Sequence, residues 1–421
     1  MIAAARGEAP ADLVLRGGRI ANVFTGERER ADVAIVGDRI VGVGRYEGRE
    51  TRDVRGGIVA PGLVDGHLHV ESTMLTPAAF ARAVAPRGTT AVVIDPHEIA
   101  NAAGVEGMRW LLGDTQGLPL TFYVQVPSCV PASRLETSGG RIDARAVRRL
   151  LTRPQVLGLA EVMEYAELLA GEAEVLRKLA ASANRVIDGH APDLAGPDLN
   201  AYLSAGPTSD HEVTTPAEAR EKLRRGMTVM LRQSSVARDM ERLLSAIPPP
   251  TRDRCLVVTD DLLPQDLLHR GHMDAVLRDA VRTRAVGPIE ALRMATLNAA
   301  HHFRLPRVGA VAPGWRADLV VFEDLRHFRP RLVLHGGRVV AEDGRPTVSV
   351  RGAVAPGARL QRSVRLGPLP EVALRIPARA GRCRAIRVQA DSILKLTDRG
   401  LVDVDAGRIV PLWLDGQEGR P

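Results

Sequence analysis

Eight apolar runs of strand length fall between residues 58 and 260, with helix-like stretches between them, and this alternation constrains the fold more than any other feature. The runs cover 58–66, 90–95, 120–126, 156–161, 185–190, 206–211, 227–232 and 255–260; the sixth, around Pro207-Thr-Ser-Asp-His211, is the least strand-like. The helices between them carry start signals. Thr76-Pro77 and Thr215-Pro216 each set an N-cap before a proline at the first helical position, and Gly226 can close the second helix. Eight such alternations in ~230 residues predict a closed, parallel (β/α)8 TIM-like barrel.

The flanks read differently. Residues 12–47 alternate apolar and polar positions around glycine-rich turns, as short strands do. The phrase Leu13-Val-Leu-Arg-Gly-Gly-Arg-Ile20 recurs as Leu332-Val-Leu-His-Gly-Gly-Arg-Val339, and residues 309–322 supply further strand material. Segments from both flanks, 1–57 and 307–360, are therefore expected to pair into one small β-sandwich domain. The barrel, 58–306, is inserted into it, and 361–421 forms a C-terminal extension.

With 45% hydrophobic and 25% charged residues over 421 positions, the chain has the make-up of an ordinary globular protein with a large core. No apolar stretch approaches the roughly 18 residues of a membrane span. The N-terminus lacks the basic-then-apolar order of a secretory signal, so a cytoplasmic location is expected. Cys129, Cys255 and Cys383 are odd in number and far apart, which argues against a disulfide framework. The net charge of +7 raises nucleic-acid binding as a question. However, all but three of the 57 basic residues are arginines, scattered along the chain, and aromatics are only 3%. Lys178, Lys222 and Lys395 are the exceptions. Without a basic patch or interleaved aromatics, no nucleic-acid partner is expected.

Catalytic groups of a barrel sit at the C-terminal ends of its strands. In order, those ends offer His67/His69, Asp95/His97/Glu98, Ser128/Cys129, Glu161, His190, His211/Glu212, Arg232 and Asp260/Asp261. His67 and His69, at i and i+2, face one side of a strand. Four histidines and two carboxylates suit two divalent ions about 3.5–4 Å apart that share a hydroxide. His67 and His69 would hold the first ion, His190 and His211 the second, and Glu161 would bridge them. Asp260 would bind the first ion and take the hydroxide proton, and Glu212 would carry a proton to the leaving group. Plainer roles exist for each residue alone: a core histidine, a helix cap at Glu161, an N-cap pair at Asp260-Asp261. Cys129, with no acid–base partner nearby in sequence, reads as a pocket-lining thiol. His301-His302 ends a helix expected to start at Pro288, where the helix dipole accounts for both rings. His269, His327 and His335 read as surface or structural.

Pro61-Gly-Leu-Val-Asp-Gly-His-Leu-His-Val-Glu-Ser72 resembles the amidohydrolase superfamily, and the longer string resembles its adenine deaminase family. The matching phrases run from Arg87-Gly-Thr-Thr-Ala-Val-Val-Ile-Asp-Pro-His-Glu-Ile-Ala-Asn101 through Val126-Pro-Ser-Cys-Val-Pro131, Leu135-Glu-Thr-Ser-Gly139 and Gly158-Leu-Ala-Glu-Val-Met163. Asp188-Gly-His-Ala-Pro192, Ser209-Asp-His-Glu212, Thr259-Asp-Asp261 and Met294-Ala-Thr-Leu-Asn298 continue the match, which covers residues 11–345. The resemblance implies hydrolytic deamination of adenine, or a close 6-aminopurine, to hypoxanthine and ammonia. It implies two divalent metal ions, Mn2+ or Fe2+ (or Zn2+), on His67, His69, Glu161, His190, His211 and Asp260. Glu212 would transfer protons, and Asp95, His97, Glu98 and Ser128 would hydrogen-bond the ring. The expected partners are the purine substrate and further copies of the chain, as a dimer, with no membrane.

The match departs from the family where Glu164-Tyr-Ala-Glu167 replaces an Asn, an aromatic and Pro-Gly. It departs again where Arg232-Gln-Ser-Ser235 replaces Arg-Glu-Gly-Ser and where Leu262 replaces a basic residue. Family members also usually continue well past residue 421, so the chain reads as a short form lacking a C-terminal domain. Two other readings remain: a cyclic-amidase-type hydrolase on another substrate, and a catalytically silent binding or assembly paralogue.

Overall fold

The computed structural model describes residues 1–133, 136–363, 366–368, 370, 381–386 and 399–404. The chain divides into two units, Met1–Gly357 and Ala358–Pro421. In the second, a short helix Ala358–Gln361 and an antiparallel pair, Gly381–Ile386 with Arg399–Val404, are described. Of the extension expected over 361–421, residues 364–365, 369, 371–380, 387–398 and 405–421, Lys395 among them, lie outside the described residues.

In the first unit the two flanks meet in a single nine-stranded sheet. Ala11–Ala21 pairs antiparallel with Arg28–Val36 and parallel with Gly48–Asp53 and Ile58–Pro61. Ile58–Pro61 then pairs with Leu319–Phe322, which leads through Pro330–His335 to Arg338–Glu342. The repeated phrase thus lies in both arms of one sheet, and residues 58–61, expected in the barrel, belong to this sheet. Its two copies do different work. Gly336 and Gly337, both at positive φ (55° and 75°), form the tight turn between paired strands. At Gly17-Gly18 the same residues instead mark a register shift inside a strand.

Between the flanks, eight strands alternate with helices: β1 (Leu63–Leu68), β2 (Thr89–Ile94), β3 (Thr121–Val126), β4 (Val156–Val162), β5 (Val186–Gly189), β6 (Ser209–Asp210), β7 (Thr228–Arg232) and β8 (Cys255–Val258). Strands β1 to β5 hydrogen-bond in sequence order as one parallel sheet, and β6 to β8 as another. Asp260 N–H donates to the His67 carbonyl, and Thr208 N–H donates to the Ile187 carbonyl, so backbone bonds cross from each sheet to the other. The outcome is a mixed α/β unit whose parallel strands curl around a shared interior. The sixth run, least strand-like in sequence, is the shortest strand, with two residues.

Thr76 and Thr215 cap their helices as expected, accepting from Ala79 N–H and Glu218 N–H. The helix expected from Pro288 to His302 is two helices, Pro288–Met294 and Leu297–His302, because Thr296 leaves helical geometry. Val64, Val93, Met230, Leu256, Val258 and Phe303 are buried together, so the interior beneath the strand ends is packed core. No helix among the described residues is long and apolar enough to cross a membrane.

Candidate metal centre

The strand ends carry two half-cradles that meet at one carboxylate. In the first, His67 ends β1, His69 follows it, and Asp260 follows β8. Asp260 adopts φ 56°, a region non-glycine residues seldom enter. Its N–H donates to the His67 carbonyl (3.0 Å) and its carbonyl accepts from His69 N–H (3.3 Å). Its Oδ1 lies 3.6 Å from His67 Nε2 and 3.3 Å from His69 Nε2. Asp65 clamps the same seam from below, accepting from His67 N–H (3.3 Å), Thr259 N–H (3.2 Å) and the Thr259 hydroxyl (2.5 Å). Burial nevertheless pushes Asp65 up to about 7. His272 Nε2 lies 3.3 Å from it, but burial holds that imidazole down at about 3, so the ring meets Asp65 uncharged at neutral pH.

The second half holds His190 after β5 and His211 after β6. A Cβ on Gly189 would lie 2.1 Å from the Ser209 carbonyl, so only glycine lets the two strands approach this closely. Glu161, next to last in β4, joins the halves. Its Oε2 is 2.8 Å from His190 Nδ1 and 3.2 Å from His211 Nε2, while Oε1 is 3.5 Å from His69 Nε2. The His67 and His211 rings stack with centroids 4.0 Å apart. Thus His67, His69, Glu161, His190, His211 and Asp260, far apart in sequence, line one space.

The donor set fits divalent metal. His67 is fully buried, yet neither of its ring nitrogens has a hydrogen-bond partner, an arrangement that costs free energy unless something binds them. Ligand atoms of His67, His211 and Asp260 lie within 4.8 Å of one another, as do those of Glu161, His190 and His211. Burial opposes ionisation of Glu161 and Asp260, but the histidines around them hold both carboxyls well below the usual range. Burial likewise opposes protonation of His211, which those carboxylates raise to about 10. The excess negative charge that would protonate these rings is what a cation balances while leaving them neutral as ligands.

Beside this cradle, Arg232 closes β7 fully buried, its Nη1 2.6 Å from Glu212 Oε1 and 3.3 Å from Asp260 Oδ2. Glu212 Oε2 is buried and unpartnered, and burial raises its carboxyl against the pull of His211 and Arg232. One oxygen is therefore fixed and the other is free to meet a ligand. On the opposite side, His97 Nδ1 lies 3.2 Å from Asp95 Oδ2 and 3.4 Å from Glu161 Oε1, and its Nε2 is 3.4 Å from Glu98 Oε1. Asp95 Oδ1 is buried without a partner. The Ser128 hydroxyl donates to the Glu161 carbonyl, tying β3 to β4. Burial pushes the Cys129 thiol up to about 12, which speaks against a nucleophile.

Several residues here gave no sequence signal. Asp65 lies inside the first apolar run, short of its end, and His272 lies outside every strand end. Glu71, in the turn Val70–Thr73, accepts from Ile99 N–H and keeps Oε2 unpartnered. His302 does more than face a helix dipole: its Nε2 is 3.0 Å from Asp188 Oδ1 and its Nδ1 is 3.1 Å from the Thr228 hydroxyl. His327 is exposed beside Asp324, and His335 bonds Thr121.

Residues 58–340 match the model of the amidohydrolase family. Adenine deaminase 2 of Carboxydothermus hydrogenoformans is 45% identical over 386 residues, covering 92% of this chain and 67% of that protein. The adenine deaminase of Kosmotoga olearia is 41% identical over 414 residues, covering 97% of this chain and 71% of that one. Among solved structures, a triazine hydrolase variant superposes with a TM-score of 0.58 at 18% identity, over 80% of this chain and 96% of that one. The last similarity concerns the fold alone. The chain belongs to the amidohydrolase family and, within it, to the adenine deaminases.

Proposed function

We propose that this chain hydrolyses adenine, or a closely related 6-aminopurine, to hypoxanthine and ammonia. The observation that carries the reading is the convergence of six ligand-type side chains from five strand ends, in a chain 41–45% identical to adenine deaminases over most of its length. The parallel strands from Leu63 onward would close as the catalytic (β/α)8 barrel, and the flank sheet, with Ile58–Pro61 in it, would fold as its β-sandwich companion. His67, His69 and Asp260 would hold one divalent ion and His190 and His211 the other, with Glu161 shared. Mn2+ or Fe2+ is the expected metal. When bound, such ions lower the pKa of water and so make a nucleophile available near neutral pH.

The chain's own groups do the rest. Asp260, fixed by backbone bonds and by Arg232, accepts a proton from the attacking water as a C–O bond forms at C6 of the purine. Glu212 delivers a proton to the ring through its free Oε2, takes up the proton that Asp260 received from water, and passes it to the exocyclic nitrogen. The C–N bond breaks with ammonia as leaving group, and the C6 hydroxyl proton restores Glu212 as the carbonyl forms. Arg232 keeps the other Glu212 oxygen in place. Asp95, His97 and Glu98 form the wall that meets the ring edge. Ser128, whose proton is on the Glu161 carbonyl, can only accept from the substrate. Protein purified with Mn2+ or Fe2+ supplied should contain two ions per chain and release ammonia from adenine, with the ultraviolet shift to hypoxanthine. Two ions without turnover on any 6-aminopurine would defeat the substrate assignment, and a chain that binds no metal would defeat the mechanism.

A further inference from the structure

Lysine is almost absent from this chain, and the two described lysines are both buried beneath the site. All but three of 57 basic residues are arginine, so arginine serves wherever a cation of either shape suffices. Lys178 and Lys222 are the described exceptions, with side chains 8% and 0% exposed. Lys222 Nζ donates to the Ala191 carbonyl (2.5 Å), Asp210 Oδ2 (2.5 Å) and Glu218 Oε1 (2.6 Å), which uses all three of its protons. A planar guanidinium cannot aim three donors from one point. Asp210 Oδ1 in turn accepts from Ala191 N–H and Glu212 N–H, both at 3.0 Å. Glu218 accepts from Asp193 N–H and Thr214 N–H. One ammonium thus gathers the backbone on either side of His190, His211 and Glu212. Lys178 repeats the device at the end of β3, where its Nζ donates to the Ser128 carbonyl at 2.6 Å and lies 3.8 Å from Glu164 Oε2.

We infer that Lys222 is a positioning residue for the His190–His211 half of the metal cradle, and that Lys178 is one for the substrate wall at Ser128. The inference rests on the function proposed above, but its first readout is metal affinity, which needs no substrate. Lys222→Met, Lys222→Arg and Lys178→Met are made in the full chain, and Mn2+ affinity and stoichiometry, thermal midpoint, and KM and kcat for adenine are measured. Lys222→Met is expected to weaken Mn2+ binding about 10–100-fold, the scale of groups that orient metal ligands. Lys222→Arg should not restore it, although charge is kept. Lys178→Met should leave Mn2+ binding unchanged and raise KM. Where Lys222→Met does not fold, Asp210→Asn, which retains the ammonium, carries the same expectation. A folded Lys222→Met or Lys222→Arg protein with wild-type Mn2+ affinity overturns the role of Lys222. An unchanged KM in Lys178→Met overturns that of Lys178. If wild type binds Mn2+ but releases no ammonia from adenine, the substrate reading fails while the Lys222 comparison still stands.

Discussion

The two halves of the cradle are held by different means. The His67–His69–Asp260 half is stitched by backbone: Asp260 exchanges hydrogen bonds with both histidines across the β1–β8 seam, and Asp65 ties Thr259 to the same strand. The His190–His211 half has little ladder to rely on, because β6 is two residues long. Side chains take over there, with Lys222, Asp210 and Glu218 supplying the bonds that a longer strand pair would have made. Where sheet pairing is short, ligand geometry must come from buried polar contacts, and these fail when any one member is lost.

That contrast can be broken most completely at Glu161, the group common to both sides. Glu161→Ala should lose the paired metal and nearly all turnover, read as metal per chain and ammonia release. An active variant with two ions would remove Glu161 from the centre. Next in size is Glu212→Gln, which keeps the cradle and removes proton transfer. Metal content should be normal and kcat about 100-fold lower or more, the usual scale of a placed acid–base group. Normal turnover would exclude Glu212 from the chemistry. Asp65→Ala sharpens the comparison by attacking only the backbone-stitched half: Mn2+ affinity should fall ~10–100-fold, with one ion still retained. Equal loss of both ions would mean the halves are not independent.

The smallest expected effect concerns stability. His272, below the first half, is held down at about 3 when folded, against about 6.5 for a free imidazole. The unfolded ring takes up a proton as pH drops below ~6.5 while the folded ring does not until ~3, so the stability from this site is full above that window and declines through it. His272→Gln should therefore differ from wild type progressively less as pH falls, by ~2 kcal/mol between about pH 7.5 and pH 5 in urea unfolding. Parallel curves for the two proteins would show that the ring titrates freely.

Strand count, strand order and the metal-type residues were legible because period and strand-end position are local properties of a sequence. His67, His69, Glu161, His190, His211 and Asp260 each stand within a residue or two of an apolar run. The single flank sheet was not legible, since either arm of the repeated Leu-Val-Leu phrase can pair with several partners and only the placement of Ile58–Pro61 between them selects one. The break at Thr296 was missed because Met294–Leu297 has good helix formers on both sides. Nor did pattern flag Lys222, which stands at an ordinary position in an amphipathic helix.

By itself, then, the sequence determined which residues stand at strand ends, through the two-residue alternation of strands and the capped helices between them. Which of those residues share a space, and what holds them there, was decided only by tertiary structure. Asp260 meets His67 across almost two hundred residues because curling the sheet brings its first and last strands together, and the Lys222 ammonium finds the carbonyl of Ala191 because β5 and β6 lie side by side. Contacts of that kind depend on closure of the chain, and no local pattern encodes them.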